Sequence, residues 1–293
     1  DVLAVHNIDA EKDSPADVPE NAITWLVDTL RYHAAATERV YITAVAGFYE
    51  FLAAENLAPI NLARIQLLIR RRARKPGIRL PQFPRNEIDE IVEYLSNITN
   101  LSSEDAVDRL RNLRDRALLI TLADTGLRIH DACNLRRGDM DWNEGRTLVV
   151  GKGNRQAVVR FSPRALAALK DYLQERASLD GASGKPLSAL PLFARHDNGA
   201  GSKVKPITPT SGRNIVNDWV GKILGGDAVG RITPHSFRHY FVTEVLLASG
   251  NLKLAQELAR HTSITVTQRY AHLSEDELDK GYWEIFAEKE KKG

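Results

Sequence analysis

A break at residues 75–84 limits what this chain can fold into more than any other feature. Lys75-Pro76-Gly77 cannot continue a helix, and Pro81 and Pro84 keep the following backbone extended. Helical hydrophobic periodicity stops before this stretch and resumes after it. The 293 residues are therefore expected to form a helical domain over 1–77, a basic linker over 78–85 and a larger domain over 86–293.

The first domain opens on a polar, acidic arm or loose cap at residues 1–19, with Asp9, Glu11, Asp13 and Asp17. Residues 20–34 read as a helix. Residues 36–55 read as a stronger one, with Tyr41, Ala44, Phe48 and Leu52 at helical spacing. Leu62 to Arg72 reads as a third. The net charge of +2 hides a local feature: residues 64–85 hold Arg64, Arg70, Arg71, Arg72, Arg74, Lys75, Arg79 and Arg85 with no acid among them. A solvated helix end would explain some of these charges. A cationic run crossing a linker favours a strap that binds nucleic-acid phosphates, with Arg70, Arg71, Arg72, Arg74, Lys75 and Arg79 as its contacts.

Composition narrows the remaining classes. With 43% hydrophobic and 27% charged residues the chain is an ordinary globular one. No apolar run approaches the length of a membrane helix, and no signal peptide is visible. The single cysteine, Cys133, excludes an internal disulfide and fits a reducing cytoplasm, where packing is its expected role.

The second domain reads as mainly α with a small β-sheet, an α+β arrangement. Asn86 suits an N-cap ahead of Ile88, Ile91, Val92 and Leu95. A long helix from Ser103 to about Ala123 ends at Asp124-Thr125-Gly126, where Gly126 suits a left-handed C-cap. A short helix starts near Leu127-Arg128-Ile129-His130-Asp131. Residues 147–150 and 156–160 read as strands around a hairpin turn holding Lys152. Pro163 opens a helix to about Ala177. Residues 178–207 read as a long loop with one strand at Leu192-Phe193, and Thr210 to Leu224 as a helix.

Residues 233–270 gather chemistry-bearing groups. Thr233 and Pro234 suit a helix start. His235 and Arg238, three apart, project from one face. Phe237, Phe241, Glu244/Val245 and Ala248 make the expected core stripe. His261 and Tyr270 follow. A cationic pair, a lone histidine and a tyrosine suggest a site that grips an anion and attacks it.

Taken together, Thr125-Gly126-Leu127-Arg128-Ile129, Lys152, Pro234-His235-Ser236-Phe237-Arg238-His239 and the final His261…Tyr270 resemble the tyrosine recombinases, the family of phage integrases and Xer recombinases. The likeness covers the whole catalytic domain, residues 86–288, in order and in setting. The N-terminal helices resemble the family's helical core-binding, SAM-like domain. Two positions depart from the family pattern. Arg260 stands where a glycine usually precedes the second histidine, and Asp131 where glutamate is frequent.

The resemblance implies a catalytic set of Arg128, Lys152, His235, Arg238, His261 and Tyr270. A tyrosine hydroxyl, with a reference pKa of about 10, needs help to attack a phosphodiester. Forked, permanently charged guanidinium groups at Arg128 and Arg238 suit the non-bridging oxygens. His235 would take the Tyr270 proton, Lys152 would protonate the departing 5′ oxygen, and His261 would donate to the phosphate. Tyr270 would hold the 3′ phosphate covalently, so neither cofactor nor metal is required. The implied partners are a double-stranded DNA recombination site and further copies of the chain, a homo-tetramer on two duplexes and a monomer or dimer off DNA, in a nucleoid-associated setting.

Taken singly, these residues have ordinary explanations. Arg128 could pair with Asp124 or Asp131, Lys152 could be a solvated turn residue, and Tyr270 a core aromatic. A zinc site at His235, His239 and His261 is disfavoured, because the glutamate of H-E-x-x-H is missing and Arg238 would stand beside the metal. At the level of function, a type IB topoisomerase-like nicking and rejoining enzyme and a non-catalytic architectural DNA-binding factor are the alternatives. No long additional N-terminal domain is expected ahead of the helices, a reading that leans slightly towards the Xer type and that a start at Asp1 in place of methionine weakens. A capping box at Ser274 and Glu277 starts an expected last helix, with Leu278, Tyr282, Ile285 and Phe286 as its apolar stripe. In the family such a helix commonly docks on a neighbouring protomer.

Overall fold

The computed structural model describes residues 2–74, 84–98, 105–150, 156–197, 203–261, 264–268 and 270. Two compact units make up the chain, Asp1–Ile78 and Arg79–Gly293. The expected Lys152 hairpin turn, Lys75, Arg79 and the tail helix lie outside the described residues.

The first unit is helical: α1 (Val2–Val5), α2 (Ala22–Leu30), α3 (Ala35–Ala54) and α4 (Leu62–Arg72). Its core is Ile23, Val27, Ile42, Tyr49, Leu52 and Ile65. This corrects the expected stripe on α3, because Tyr41 and Ala44 are exposed. The buried stripe runs Glu38, Ile42, Tyr49 and Leu52. Two helical stripes share Leu52, and polar partners choose between them. The Tyr49 hydroxyl donates to Pro19 O at 2.5 Å, and Glu38 receives Arg74. The acidic arm is partly structured: a short 3₁₀ turn spans Pro15–Asp17, and His6 stacks on Trp25 with ring centroids 3.6 Å apart.

The second unit follows as α5 (Arg85–Asn97), α6 (Ala106–Thr125), α7 (Ile129–Asn134), β1 (Met140–Asp141), β2 (Arg146–Val150), β3 (Gln156–Arg160), α8 (Pro163–Glu175), α9 (Ala177–Ala182), α10 (Pro209–Leu224), α11 (Pro234–Ser249), α12 (Leu252–Ala259) and α13 (Ile264–Thr267). The fold is mostly helical with a small antiparallel sheet in the order β1-β2-β3, and Val150 opposes Gln156 across the hairpin. The core centres on α6, which packs on α5, α8 and α11 and buries Ala117, Leu118, Leu119, Ile120 and Leu122. The second half of α6 is apolar nearly all round, which suits the middle of a domain, whereas its first half carries Asp108, Arg109, Arg111, Arg114, Asp115 and Arg116.

Four local expectations change. Helix α9 (Ala177–Ala182) occupies the head of the stretch expected as a loop over 178–207. Helix α5 starts at Arg85 with Pro84 as its cap, so Asn86 lies inside it. Leu192 and Phe193 form no strand. They are fully buried, with the Leu192 N–H donating to Leu135 O at 2.7 Å and Phe193 O accepting from Ile207 N–H at 3.1 Å. On α11, Ala248 is exposed and Glu244 pairs with Arg85 at 2.6 Å, while Phe237, Tyr240, Val242 and Leu246 are buried.

Candidate active site around Tyr270

The site begins where α6 stops. Gly126 takes φ +57, and a Cβ there would lie 2.5 Å from Cδ1 of Phe241, so only glycine fits both the turn and the packing of α11. The turn is fastened by Thr125, whose Oγ1 donates to Thr121 O at 2.6 Å and accepts from Leu127 N–H at 3.2 Å. Arg128 follows as the N-cap residue of α7 in an extended conformation, which sends its side chain off the helix start. On the other side of α7, Gly212 of α10 would place a Cβ 2.5 Å from Ile129 Cδ1, so α10 approaches closely and fixes this segment.

Helix α11 supplies the next residues. Thr233 N–H donates to Ser236 Oγ at 3.1 Å at its start. His235 is exposed, whereas Arg238, one turn along, is only 4% exposed. Arg238 Nη1 donates to Gly126 O at 2.5 Å, and Nη2 donates to Ala259 O. Helix α12 ends in Arg260, a left-handed residue at φ 57. Its Nη2 donates to the same Gly126 carbonyl at 3.3 Å. The backbone N–H of His261 returns to Gln256 O at 3.0 Å, and the His261 Nδ1 lies 2.8 Å from Thr267 Oγ1.

Tyr270 is 2% exposed, its ring packed with Val242, Leu246, Ala255 and Ala259. Its hydroxyl meets Nδ1 of His239, and the His239 ring lies edge-on to His235 with centroids 4.3 Å apart. Among the described residues the structure thus brings Arg128, His235, Arg238, His261 and Tyr270 into one cluster. It adds His239 and Arg260. His239 was legible in sequence only as a neighbour one turn beyond His235. Nothing in the sequence said that it, and not His235, would face the tyrosine.

Among the described residues the cluster is short of negative charge. Asp124 is committed to Arg164, at 2.7 Å, and to Ser162. Asp131 stands 3.9 Å from Arg128 as the nearest counter-charge. Burial, then Arg128 and Arg260, pull Arg238 down to about 9. Burial and Arg128 lower Arg260 as well, against the pull of Asp131. Burial, then Arg238 and Arg128, push His261 down to about 4, and partial desolvation with Arg238 and Arg128 lowers His235. Cations that crowd one another in a water-poor place are set to receive an anion.

The expected phosphate strap divides. Arg70, Arg71 and Arg72 are exposed on the last turn of α4. Arg74 is not available in the same way. Its Nε donates to the buried Glu38 at 2.5 Å, and Nη2 donates to Leu30 O at 3.2 Å and His33 O at 2.7 Å. The sequence run held no acid, but folding brought one from α3. Arg64 likewise pairs with Glu20 at 3.0 Å.

Residues 83–277 match the family model described as the phage integrase family. The tyrosine recombinase XerC of Anoxybacillus flavithermus is 31% identical over 238 residues, spanning 81% of this chain and 71% of the relative. The tyrosine recombinase XerC of Bacillus licheniformis is 32% identical over 242 residues, spanning 82% and 71%. A solved XerH site-specific recombinase, in a post-cleavage complex with a palindromic difH substrate, superimposes with a TM-score of 0.67 at 20% identity, over 91% of this chain and 72% of that one. That last likeness is one of fold.

Proposed function

This chain belongs to the phage integrase family of tyrosine recombinases, and on that premise we propose that it is a site-specific recombinase of double-stranded DNA with Tyr270 as its nucleophile. One observation carries the assignment to this residue. The Tyr270 hydroxyl lies against His239, inside a cluster whose arginines lack adequate counter-charge.

In the forward step the Tyr270 oxygen bonds to phosphorus and the bond from phosphorus to the 5′ oxygen breaks. Arg128 and Arg238 hold the non-bridging oxygens, stabilising the charge that builds on them. His261, kept neutral, donates a hydrogen bond to the phosphate. His239 holds the tyrosine hydroxyl in place before DNA arrives, and His235 accepts its proton in the reaction. Lys152 protonates the departing 5′ oxygen. The 3′ phosphate stays on Tyr270 until a 5′ hydroxyl from the partner strand attacks and releases it, so the phosphodiester bond is conserved and no ATP is consumed. No step calls for a metal ion. The first unit acts as the core-binding domain, with its Arg70, Arg71, Arg72 and Lys75 on phosphates, joined by Arg79 at the start of the second unit. A tetramer on two duplexes completes the exchange. The relatives' names favour exchange between duplexes over relaxation alone.

The test uses nicked half-site DNA that traps the covalent product. Wild-type chain should become linked to DNA in a denaturing gel, and Tyr270→Phe should bind the same DNA and form no adduct. An adduct in Tyr270→Phe moves the nucleophile elsewhere. Recombinant product from two target duplexes separates a recombinase from a nicking and rejoining enzyme, and chelator in the reaction should leave the yield unchanged.

A further inference from the structure

Arg260 has an odd place. It closes α12 in the left-handed region, at φ 57 and ψ 44, a conformation costing a side chain roughly 1 kcal/mol that glycine would adopt freely. It brings a guanidinium into a half-buried position where the charge is disfavoured. Among the described residues its Nη2 reaches one acceptor, Gly126 O, at 3.3 Å, and Arg238 already holds that oxygen at 2.5 Å. Among the described residues, no group accepts from its buried Nε. Strain, desolvation, like-charge crowding and an unmade hydrogen bond fall on a single residue, and a buried polar group left without a partner calls for a missing one.

Resting on the recombinase reading above, we propose that Arg260 is a third phosphate-gripping arginine, donating with Arg128 and Arg238 to the scissile phosphodiester. The Gly126 carbonyl is the geometric clue. One oxygen gathers the guanidinium groups of Arg238 and Arg260, and Arg128, two residues beyond Gly126, stands close enough to disfavour the charge on both. A phosphate oxygen arriving there meets donors on neighbouring elements and offers the full charge that a carbonyl lacks. The non-bridging oxygens carry more negative charge in the transition state than in the bound diester, so an added fixed cation acts mainly on rate.

The experiment compares wild type, Arg260→Gly and Arg260→Lys on two trapping half-sites. One carries the normal scissile phosphate, the other a methylphosphonate, which has no charge on the non-bridging positions. On the normal substrate Arg260→Gly should form covalent product roughly tenfold to a hundredfold more slowly, the size expected for loss of one charge-stabilising donor. Arg260→Lys, which retains the cation, should keep part of the rate. On the methylphosphonate the gap between wild type and Arg260→Gly should close. Equal slowing on both substrates would show that Arg260 only braces the Gly126 turn, and unchanged rates on both would show that it does not act. Either result overturns the proposal. Glycine relieves the left-handed strain, so the variant is expected to fold, which a thermal melt checks. Should wild type form no adduct at all, the recombinase reading fails instead.

Discussion

Two arginines at helix ends meet opposite fates. After α4, Arg74 holds the buried carboxylate of Glu38 through its backbone N–H at 2.8 Å and its Nε at 2.5 Å, and reaches the carbonyls of Leu30 and His33. After α12, Arg260 shares a single carbonyl with a second arginine. Burial alone would raise the Glu38 carboxyl, yet the hydrogen bonds and charge of Arg74 hold it below the usual carboxylate range. At Arg260 the neutralisation is incomplete: Asp131 favours its charge from a distance, yet burial and Arg128 leave it lowered, as burial, Arg128 and Arg260 leave Arg238. A cation whose counter-charge the fold supplies is part of the scaffold. A cation group the fold leaves short of counter-charge is a binding site. The number of basic residues in a stretch distinguishes neither.

The comparison breaks most readily at Arg74. Arg74→Ala strands a buried carboxylate, which should cost about 3 kcal/mol in the first unit, the lower end for breaking a buried pair since Arg74 is partly exposed. Chemical denaturation at pH 7 measures it. Glu38 has a lowered folded pKa, so the unfolded chain binds more protons and the pair's stabilisation exists above the ordinary carboxylate pKa. It should fade as pH falls through the folded value, and in Arg74→Ala that part of the acid sensitivity should be missing. A variant as stable as wild type would return Arg74 to the phosphate strap.

A smaller effect concerns the exposed end of α4. Replacing Arg70, Arg71 and Arg72 together by alanine should weaken binding to all DNA sequences alike and reduce the slope of log affinity against log salt by up to about three. Adding Arg74→Ala should reduce the slope no further if that guanidinium stays on Glu38. A further fall of about one unit would place it on DNA as well.

The smallest effect sharpens the account of the charged cluster. His261, lowered to about 4 from an ordinary 6.5, should show no ring titration between pH 6 and pH 8 by NMR. Its folded form binds fewer protons than the unfolded chain, so it adds stability above pH 6.5 that is lost as pH falls towards about 4. A titration midpoint near 6.5 would mean that burial and the neighbouring arginines act far less on this ring than their geometry implies.

Much of this protein was fixed locally by its residues. Ile88, Ile91, Val92 and Leu95 repeat at helical spacing and all are buried on α5, and Gly126 takes the left-handed cap expected of it. Pro163 and Pro209 stand at the first positions of α8 and α10, each behind a side-chain cap from Ser162 or Thr208. These outcomes rest on spacing and backbone stereochemistry, which act over a few residues and can be read from them. Family membership was legible for a related reason, since the motif residues keep their order and their setting. Tertiary structure decided the partners. Glu38 lies 36 residues from Arg74. Gly126 lies 112 residues from Arg238 and 134 from Arg260. His239 took the contact with Tyr270, and α3 buried Ile42 and Tyr49 where Tyr41 and Ala44 had equal periodicity. Electrostatic and hydrogen-bonding partners depend on distance in space, and a sequence states only distance along the chain.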